Sequence, residues 1–538
     1  MDVPRVREYA TTLPNVVVAD RNLFTCSQDT QEKIKEYIRE YDLNRVVVAS
    51  CTPRTHEPLF RETLRQGGLN KYTFEMANIR DQCSWVHMHE PEKATEKAKD
   101  LVRSAVAKAR LIQPLADISV PVNHNGLVIG GGVAGMVSAL DLAEQGVKTY
   151  LVESAGKLGG QALKLYATYQ GDRVQPYVED LIDTVNRHPL IHVYLNTTIQ
   201  DASGFVGNFT STLVDKQGKE TQLDHGAIII ATGGKPYEPE EYLYGKDPNV
   251  LLSLELDQEF IRGSDRLNHT KCAVFIQCVG SRIPERPYCS KACCTHSIQS
   301  ALTLKKLNPE MNIYILYRDI RTFGEKERLY TEARARGILF IRYDPEDPPK
   351  VEKENARLTV TVTDHVLQRP LQISPNMIIL ATAVVPHDTR SLSKLYKVST
   401  TPEGFFLEAH MKLRPVDFAT DGMFLAGLCH FPKPIEESIA QAKAAAARAA
   451  TILAKESIDM EPIVSVVDED NCNGCGICER VCPYGAMHLI EINGLITARS
   501  TPASCKGCGL CAASCPSKAV DMCHFSQHQI RAQICALA

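Results

Sequence analysis

Apolar residues along this chain fall in short runs separated by amphipathic stretches, a pattern that predicts strands and helices in alternation. VVVAS at 46–50 reads as a buried strand and runs straight into Cys51-Thr52-Pro53. Residues 91–113 carry apolar positions at helical spacing up to Pro114 and predict an amphipathic helix. From residue 127, LVIG predicts a strand, followed by a glycine turn and a helix over MVSALDLAEQG. KTYLVES, AIII, CAVFIQCVG, NIYILYR and NMIILAT predict further strands, with helical stretches between several of them. A long helix is expected over 435–454, and MEPIV at 460–464 reads as a linker. The only internal duplication is a pair of cysteine quartets near the C-terminus.

Composition narrows the class. The 538 residues are 44% hydrophobic and 23% charged, an ordinary globular balance. A chain of this length buries enough surface to fold without disulfides. Its net charge of −4 and lack of a basic tract argue against a nucleic-acid partner. The first residues have no basic flank followed by an apolar core, so no signal peptide is expected. The apolar stretches 127–133 and 444–454 are too short or too interrupted to span a bilayer. Nineteen cysteines are many for such a chain. Disulfides suit short secreted chains, whereas tight groups of cysteines in a long one read as ligands. A reducing, cytoplasmic setting follows, because the ligands must stay thiolates.

The quartets read Cys472-x2-Cys475-x2-Cys478-x3-Cys482-Pro483 and Cys505-x2-Cys508-x2-Cys511-x3-Cys515-Pro516. Two-residue spacers let three thiolates wrap one face of a [4Fe–4S] cubane, and in two-cluster ferredoxins the fourth cysteine of each run ligates the other cluster. This assigns Cys472, Cys475, Cys478 and Cys515 to one cluster, and Cys505, Cys508, Cys511 and Cys482 to the second. Zinc sites, the competing reading, rarely use that three-plus-one spacing twice.

A second motif lies at 127–135. Gly130, Gly132 and Gly135 form a G-x-G-x-x-G between a strand and a helix, and Glu153 ends the next strand, placed to accept ribose hydroxyls. The rest of the chain favours FAD over NAD. Thr232 and Gly233 close the AIII strand, Gly160 and Gln161 lie in LGGQALK, and TDGMFLAG ends at Gly427. A helix starting at Ile435 would turn its positive dipole end to the flavin ring, favouring an anionic reduced flavin. Lys433, between two prolines, is a candidate neighbour of the ring, with a solvated loop lysine as the alternative.

The region where NAD(P)H would bind reads FIQCVGSR and lacks a second G-x-G-x-x-G. Cys278, Cys289, Cys293 and Cys294 lie there within 17 residues. A third cluster is the favoured reading, over a redox disulfide or buried thiols, because C-x-x-C is absent. Cys26, Cys51 and Cys83 are too widely spaced for a local ligand set, and spacing alone favours buried thiols. The fold expected is α/β, an FAD-binding two-dinucleotide-domain fold with an α/β N-terminal domain and a C-terminal 2[4Fe–4S] ferredoxin-like α+β domain. The expected boundaries are 1–120 for the N-terminal domain, 121–270 with 365–460 for the FAD domain, 271–364 for a degenerate NAD(P)-type subdomain, and 461–538 for the ferredoxin domain.

CTPRTHEPLFRETL, FEMANIRDQCSWVH, CVGSR with YCSKACC, and PKPIEESIAQAKAAAA, together with the ferredoxin pair, resemble the A-type subunit of heterodisulfide reductase over essentially the whole chain. That resemblance implies a thioredoxin-reductase-like FAD domain with its own cluster on Cys278, Cys289, Cys293 and Cys294. It also implies a further cluster in the N-terminal domain involving Cys26, Cys51 and Cys83. Family members usually begin with a further C-x-C segment. This chain starts after it, so the fourth N-terminal ligand is missing or comes from elsewhere. Nor does the chain show the ferredoxin insertion that some relatives carry within the FAD domain.

The implied activity is flavin-based electron bifurcation: electrons arrive as a pair and leave singly, one toward ferredoxin and one toward a disulfide-reducing partner. Implied partners are B- and C-type heterodisulfide reductase subunits, a hydrogenase, formate dehydrogenase or NADH module, and ferredoxin, with the protein as a homodimer in a larger complex. The rival readings are an NAD(P)H-dependent flavoprotein ferredoxin reductase and a passive electron-wiring scaffold.

Overall fold

The computed structural model describes residues 1–355, 357–492 and 494–538. The chain divides into two compact units. One joins Met1–Val120 to Asp459–Ala538, and the other is Pro121–Ile458.

In the first unit, strands Val46–Ser50 and Phe74–Asn78 pair in parallel. A parallel pair needs a crossover, and helix Pro53–Gly67 supplies it. Phe60 and Leu64 on that helix are fully buried against Val48 and Phe74. Helix Pro91–Ala109 buries Ala94, Ala98, Val102 and Ala105, the stripe that made its sequence amphipathic. It ends at Ala109, short of Pro114. The Ile112 carbonyl turns aside and accepts two hydrogen bonds from the Arg45 guanidinium, at 3.0 and 2.6 Å.

The C-terminal segment of this unit contains two antiparallel strand pairs, Ser465–Val467 with Val520–Met522 and Met487–Ile492 with Leu495–Ser500. Two five-residue helices, Ile477–Val481 and Leu510–Ser514, sit between them. Its last helix, Gln527–Leu537, docks on Pro91–Ala109: Gln533 donates to Ser104 and Gln529 to the Leu111 carbonyl.

The second unit is built on two five-stranded parallel sheets. The first runs in the order Met423–Leu425, Ala227–Ile230, Gly126–Ile129, Thr149–Val152, Ile191–Tyr194. Its central strands are buried at every residue, the near-continuous apolar runs of a sheet covered on both faces. Helix Val133–Glu144 packs on helix Ile435–Leu453 through alanines, and the Ser138 hydroxyl donates to the Ala442 carbonyl. The second sheet runs Val250–Leu252, Met377–Thr382, Cys272–Val279, Asn312–Tyr317, Leu339–Arg342. It therefore draws strands from both sides of the 271–364 stretch. Two three-stranded antiparallel sheets and an antiparallel pair, Gly234–Pro236 with Val384–Pro386, also belong to the unit. Two parallel sheets of this kind in one unit form a two-dinucleotide-domain α/β architecture.

Candidate flavin and iron–sulfur site

The glycine turn closes the buried strand Gly126–Ile129. Gly130 stands at φ 111°, and a Cβ there would overlap the Ala231 carbonyl. A Cβ on Gly135 would overlap the Gly130 carbonyl oxygen. Gly132 caps the helix and faces open space. The turn forms one wall of a cavity of about 710 Å³. Gly130, Gly132, Glu153, Gly160, Gln161, Thr232, Gly233, Gly427 and Ile435 line it, as does Lys433, whereas Gly135 packs behind it.

The Glu153 carboxylate is held by the turn's own backbone, accepting from the N–H groups of Gly131 and Ala155 at 2.6 Å each. Gln161 Oε1 and Thr232 Oγ1 are buried without a hydrogen-bond partner. A buried polar atom left in that state costs about 1–3 kcal/mol. Both residues line the cavity, so a dinucleotide, with hydroxyl and ring N–H donors for Gln161 Oε1 and phosphate acceptors for the Thr232 hydroxyl, fits what these side chains lack.

The opposite wall comes from 427–434 and the start of helix Ile435–Leu453. Lys433 Nζ donates to the carbonyls of Gly427 and Phe431 at 2.7 and 3.0 Å. Burial pushes its ammonium down to about 8. Gly427 N–H donates to Gln441 Oε1 at 2.9 Å, which leaves the Gln441 amide nitrogen facing His430 Nδ1 at 2.8 Å. His430 Nε2 meets the Glu408 carboxylate at 2.9 Å. None of Glu408, His430 and Gln441 was singled out by sequence. Contacts between a loop, a turn and a helix leave no spacing signal.

Cys278 lies in strand Cys272–Val279 within a register shift between Ile276 and Val279, in the left-handed region at φ 62°. A bulge of this kind re-aims a side chain. Cys293 and Cys294 open helix Cys293–Leu307. A hydrogen bond with Cys294 and burial push the Cys293 thiol up, and Cys278 and Cys289 add to the rise. The four thiols thus share one neighbourhood. The Lys291 N–H donates to Cys289 Sγ at 3.3 Å; burial pushes the Cys278 thiol up to about 11, and the Arg282 and Arg318 guanidiniums act against the rise. Four thiols with amide and guanidinium donors suit a cubane, whose thiolate ligands carry negative charge. Cys293 also lines the dinucleotide cavity.

In the C-terminal segment, burial pushes the Cys478 thiol up, and Cys472 and Cys475 act on it. Cys515 acts in turn on Cys472. Burial likewise raises Cys511, with Cys505 and Cys482 as its thiol neighbours. Cys482, Cys505, Cys508 and Cys511 line a small separate cavity. Backbone amides point at the sulfurs: Ala498 at Cys472 (3.3 Å) and Ala486 at Cys482 (3.2 Å).

The N-terminal cysteines lie differently. Cys26 is exposed, Cys51 meets His56 Nδ1 at 3.2 Å, and buried Cys83 donates to the Ala94 carbonyl. Among the described residues no thiol–thiol interaction joins these three; at single-metal-ion spacing no three His, Cys, Asp or Glu side chains converge anywhere among them, the other thiol groups included.

A glycine-turn dinucleotide site beside grouped thiols, in a protein that also carries a two-quartet module, defines a flavin- and iron–sulfur-dependent oxidoreductase. The pyridine nucleotide-disulphide oxidoreductase family matches residues 124–271, and the 4Fe-4S dicluster domain family matches 465–522. The protein belongs to the family of A-type heterodisulfide reductase subunits. It is 40% identical to the second iron-sulfur A-type subunit of the CoB–CoM heterodisulfide reductase of Methanopyrus kandleri, over 99% of this chain and 95% of that protein. It is 37% identical to the A-type subunit of the H(2):CoB-CoM heterodisulfide,ferredoxin reductase of Methanothermobacter thermautotrophicus, over 99% and 94%. The first alignment runs over 633 positions for a chain of 538, so that relative carries segments this chain lacks. A solved thioredoxin reductase of T. acidophilum aligns over 61% of this chain and 97% of its own, at 16% identity and TM-score 0.43. Among the described residues no helix is long and apolar enough to cross a membrane.

Proposed function

We propose that this protein is the flavin-bearing electron-transfer subunit of a heterodisulfide-reductase-type complex, and that it splits electron pairs between a ferredoxin branch and a disulfide-reducing branch. One observation carries the reading. Cys293, from the third thiol group, lines the same cavity as the glycine turn, so flavin and cluster sites share a wall. FAD, when bound, supplies the exchange between two-electron and one-electron chemistry.

The protein's own residues prepare the site. Gly130 and Gly132 let the nucleotide approach the backbone. Glu153 is held for the ribose, Gln161 and Thr232 offer unpaired polar atoms, and Lys433 brings a titratable group to the wall formed by the helix start. Cys278, Cys289, Cys293 and Cys294 would hold one cluster, and the two C-terminal quartets two more. A cluster on Cys26, Cys51 and Cys83 would need ligands brought together on assembly.

The named activities of relatives suggest the partners: CoB–CoM heterodisulfide and ferredoxin in one, and H(2) or formate in another. The partners we assign are B- and C-type subunits, a hydrogenase, formate dehydrogenase or NADH module, and ferredoxin, around a homodimeric core. The native complex, purified with its co-purifying subunits and supplied with its electron donor, tests this. Ferredoxin and disulfide reduced in equal electron amounts is the expected result. Disulfide reduction at full rate with no ferredoxin reduced would refute pair splitting.

A further inference from the structure

Two chain crossings join the two parallel sheets of the flavin-cavity unit, Gly234–Pro236 on the way out and Val384–Pro386 on the return, and they pair with each other. Pro236 stands opposite Val384, and the Tyr237 N–H donates to the Ala383 carbonyl beside them at 2.8 Å. Bonded and non-bonded pairs alternate in an antiparallel ladder, so at Val384 both peptide groups turn away from Pro236. The cysteine loop takes both. The Val384 N–H donates to Ser290 Oγ, and the Tyr288 hydroxyl donates to the Val384 carbonyl, each at 3.0 Å. Cys289 lies between these two anchors, and Val384 lines the dinucleotide cavity. Tyr288 is held on two further sides. Its carbonyl accepts from the Ser281 hydroxyl at 2.8 Å and from the Arg282 N–H at 3.1 Å. Its ring packs edge-on against Phe405 and Phe431, with centroids 5.3 and 5.8 Å away. The same loop grips the outward crossing: the Arg286 guanidinium lies 4.1 Å from the centre of the Tyr237 ring, and a Cβ on Gly280 would overlap that ring.

We infer that Tyr288 and Ser290 are positioning residues that fasten the Cys289 loop to the crossings, so that the third thiol group keeps a fixed place beside the flavin cavity. The inference rests on the reading of that group as a cluster and of the cavity as the flavin site. Strand Cys272–Val279 holds the third place in its sheet, as Gly126–Ile129 does in the other. In dinucleotide-binding halves of this fold, the turn after that strand carries the pyrophosphate. Here the strand leads into residues 280–290, which fold onto both crossings instead, with Cys278 just before the stretch and Cys289 at its far end. Domains of one chain swing by φ/ψ changes at a few connecting residues. With both crossings held by the loop, the second sheet has no free hinge there. Ser290 is 1% exposed, so water does not compete for its bond to Val384. Electron exchange between two centres depends steeply on their separation, and a ligand loop bonded to a cavity residue fixes that separation.

The test uses the full-length protein loaded with FAD and clusters. Ser290→Ala removes the acceptor of the Val384 N–H, and Tyr288→Phe removes the donor to the Val384 carbonyl while keeping the ring. Amide hydrogen exchange over residues 380–387 reports the fastening. A redox titration read by electron paramagnetic resonance gives the midpoint potential of the resonance that Cys289→Ser lacks. In the double variant, exchange is expected to quicken by about tenfold or more. The midpoint is expected to shift, because the loosened loop changes the solvent exposure of the cluster, while the C-terminal clusters stay unmoved and FAD and iron are retained. Exchange within about twofold of wild type would show that the loop is not fastened at Val384 and overturn the inference. Quickened exchange with an unmoved midpoint would show a fastening that does not position the cluster, and overturns it too. If the double variant loses iron, Tyr288→Phe alone, which keeps Ser290 and the ring contacts, decides by the same two measurements. A wild-type protein without FAD or without the third cubane overturns the flavin and cluster reading itself. Cofactors in place with exchange and midpoint unmoved overturn the fastening alone.

Discussion

Gly135 has no room for a side chain, because the helix that follows the turn lies on the Gly130 carbonyl. Gly135→Ala must push helix and strand apart, an overpacking cost of about 1–3 kcal/mol. FAD per protein after reconstitution should fall well below that of the wild type, and the denaturant midpoint should drop. Cys289 carries a different burden. It takes part in the third thiol group and accepts the Lys291 N–H. Cys289→Ser is expected to lower bound iron by one cubane, about four atoms, while FAD is retained. Unchanged iron would remove Cys289 from the ligand set. Residues of both kinds were legible in the sequence because their signals are local: the glycines lie within six positions of one another and the third thiol group within 17. Glu408 and His430 lie 22 positions apart in segments without periodicity, and only folding brings them together.

Elements were legible to different degrees. The fully buried strands of the two parallel sheets announce themselves as unbroken apolar runs, and Pro91–Ala109 by its alanine stripe. The end of that helix was not legible, since Arg45, far off in sequence, takes the Ile112 carbonyl. Nor could spacing reveal that strand Cys272–Val279 shifts register around its thiol, which depends on pairing with Met377–Thr382. In the C-terminal segment, Gly474 lies under the strand Leu495–Ser500. It stands at φ 68°, and a Cβ would come 2.5 Å from the Ile496 carbonyl oxygen. Gly474→Val should therefore displace the Cys472–Cys478 loop from its strand. Loss of one cubane, about four iron atoms, is expected, with the flavin absorbance intact. Iron at the wild-type level would show that the loop tolerates the shift.

The unit that holds the flavin cavity also carries an acid-sensitive core. His225 is fully buried, shares a 2.9 Å hydrogen bond with the Ser211 hydroxyl, and is pushed down to about 3 by burial. In the unfolded state this histidine takes up its proton below the ordinary value of about 6.5, whereas in the folded state it does not. Stability is thus unaffected above about 6.5 and falls as pH drops toward 3, by up to about 1.4 kcal/mol per pH unit. His225→Phe should flatten that slope in urea melts across pH 4–6.5, and an unchanged slope would place the acid lability elsewhere.

For the whole molecule, the proposed function requires one polypeptide that carries a flavin and three cluster sites. It is tested most directly by anaerobic reconstitution, followed by flavin and iron analysis and a reductive titration read by electron paramagnetic resonance. One FAD and about twelve iron atoms per polypeptide are expected, for three cubanes, with cluster signals growing as the flavin bleaches and a third of the iron lost in Cys293→Ser. A protein that binds no flavin, or one whose iron stays at or below a single cubane, would contradict it.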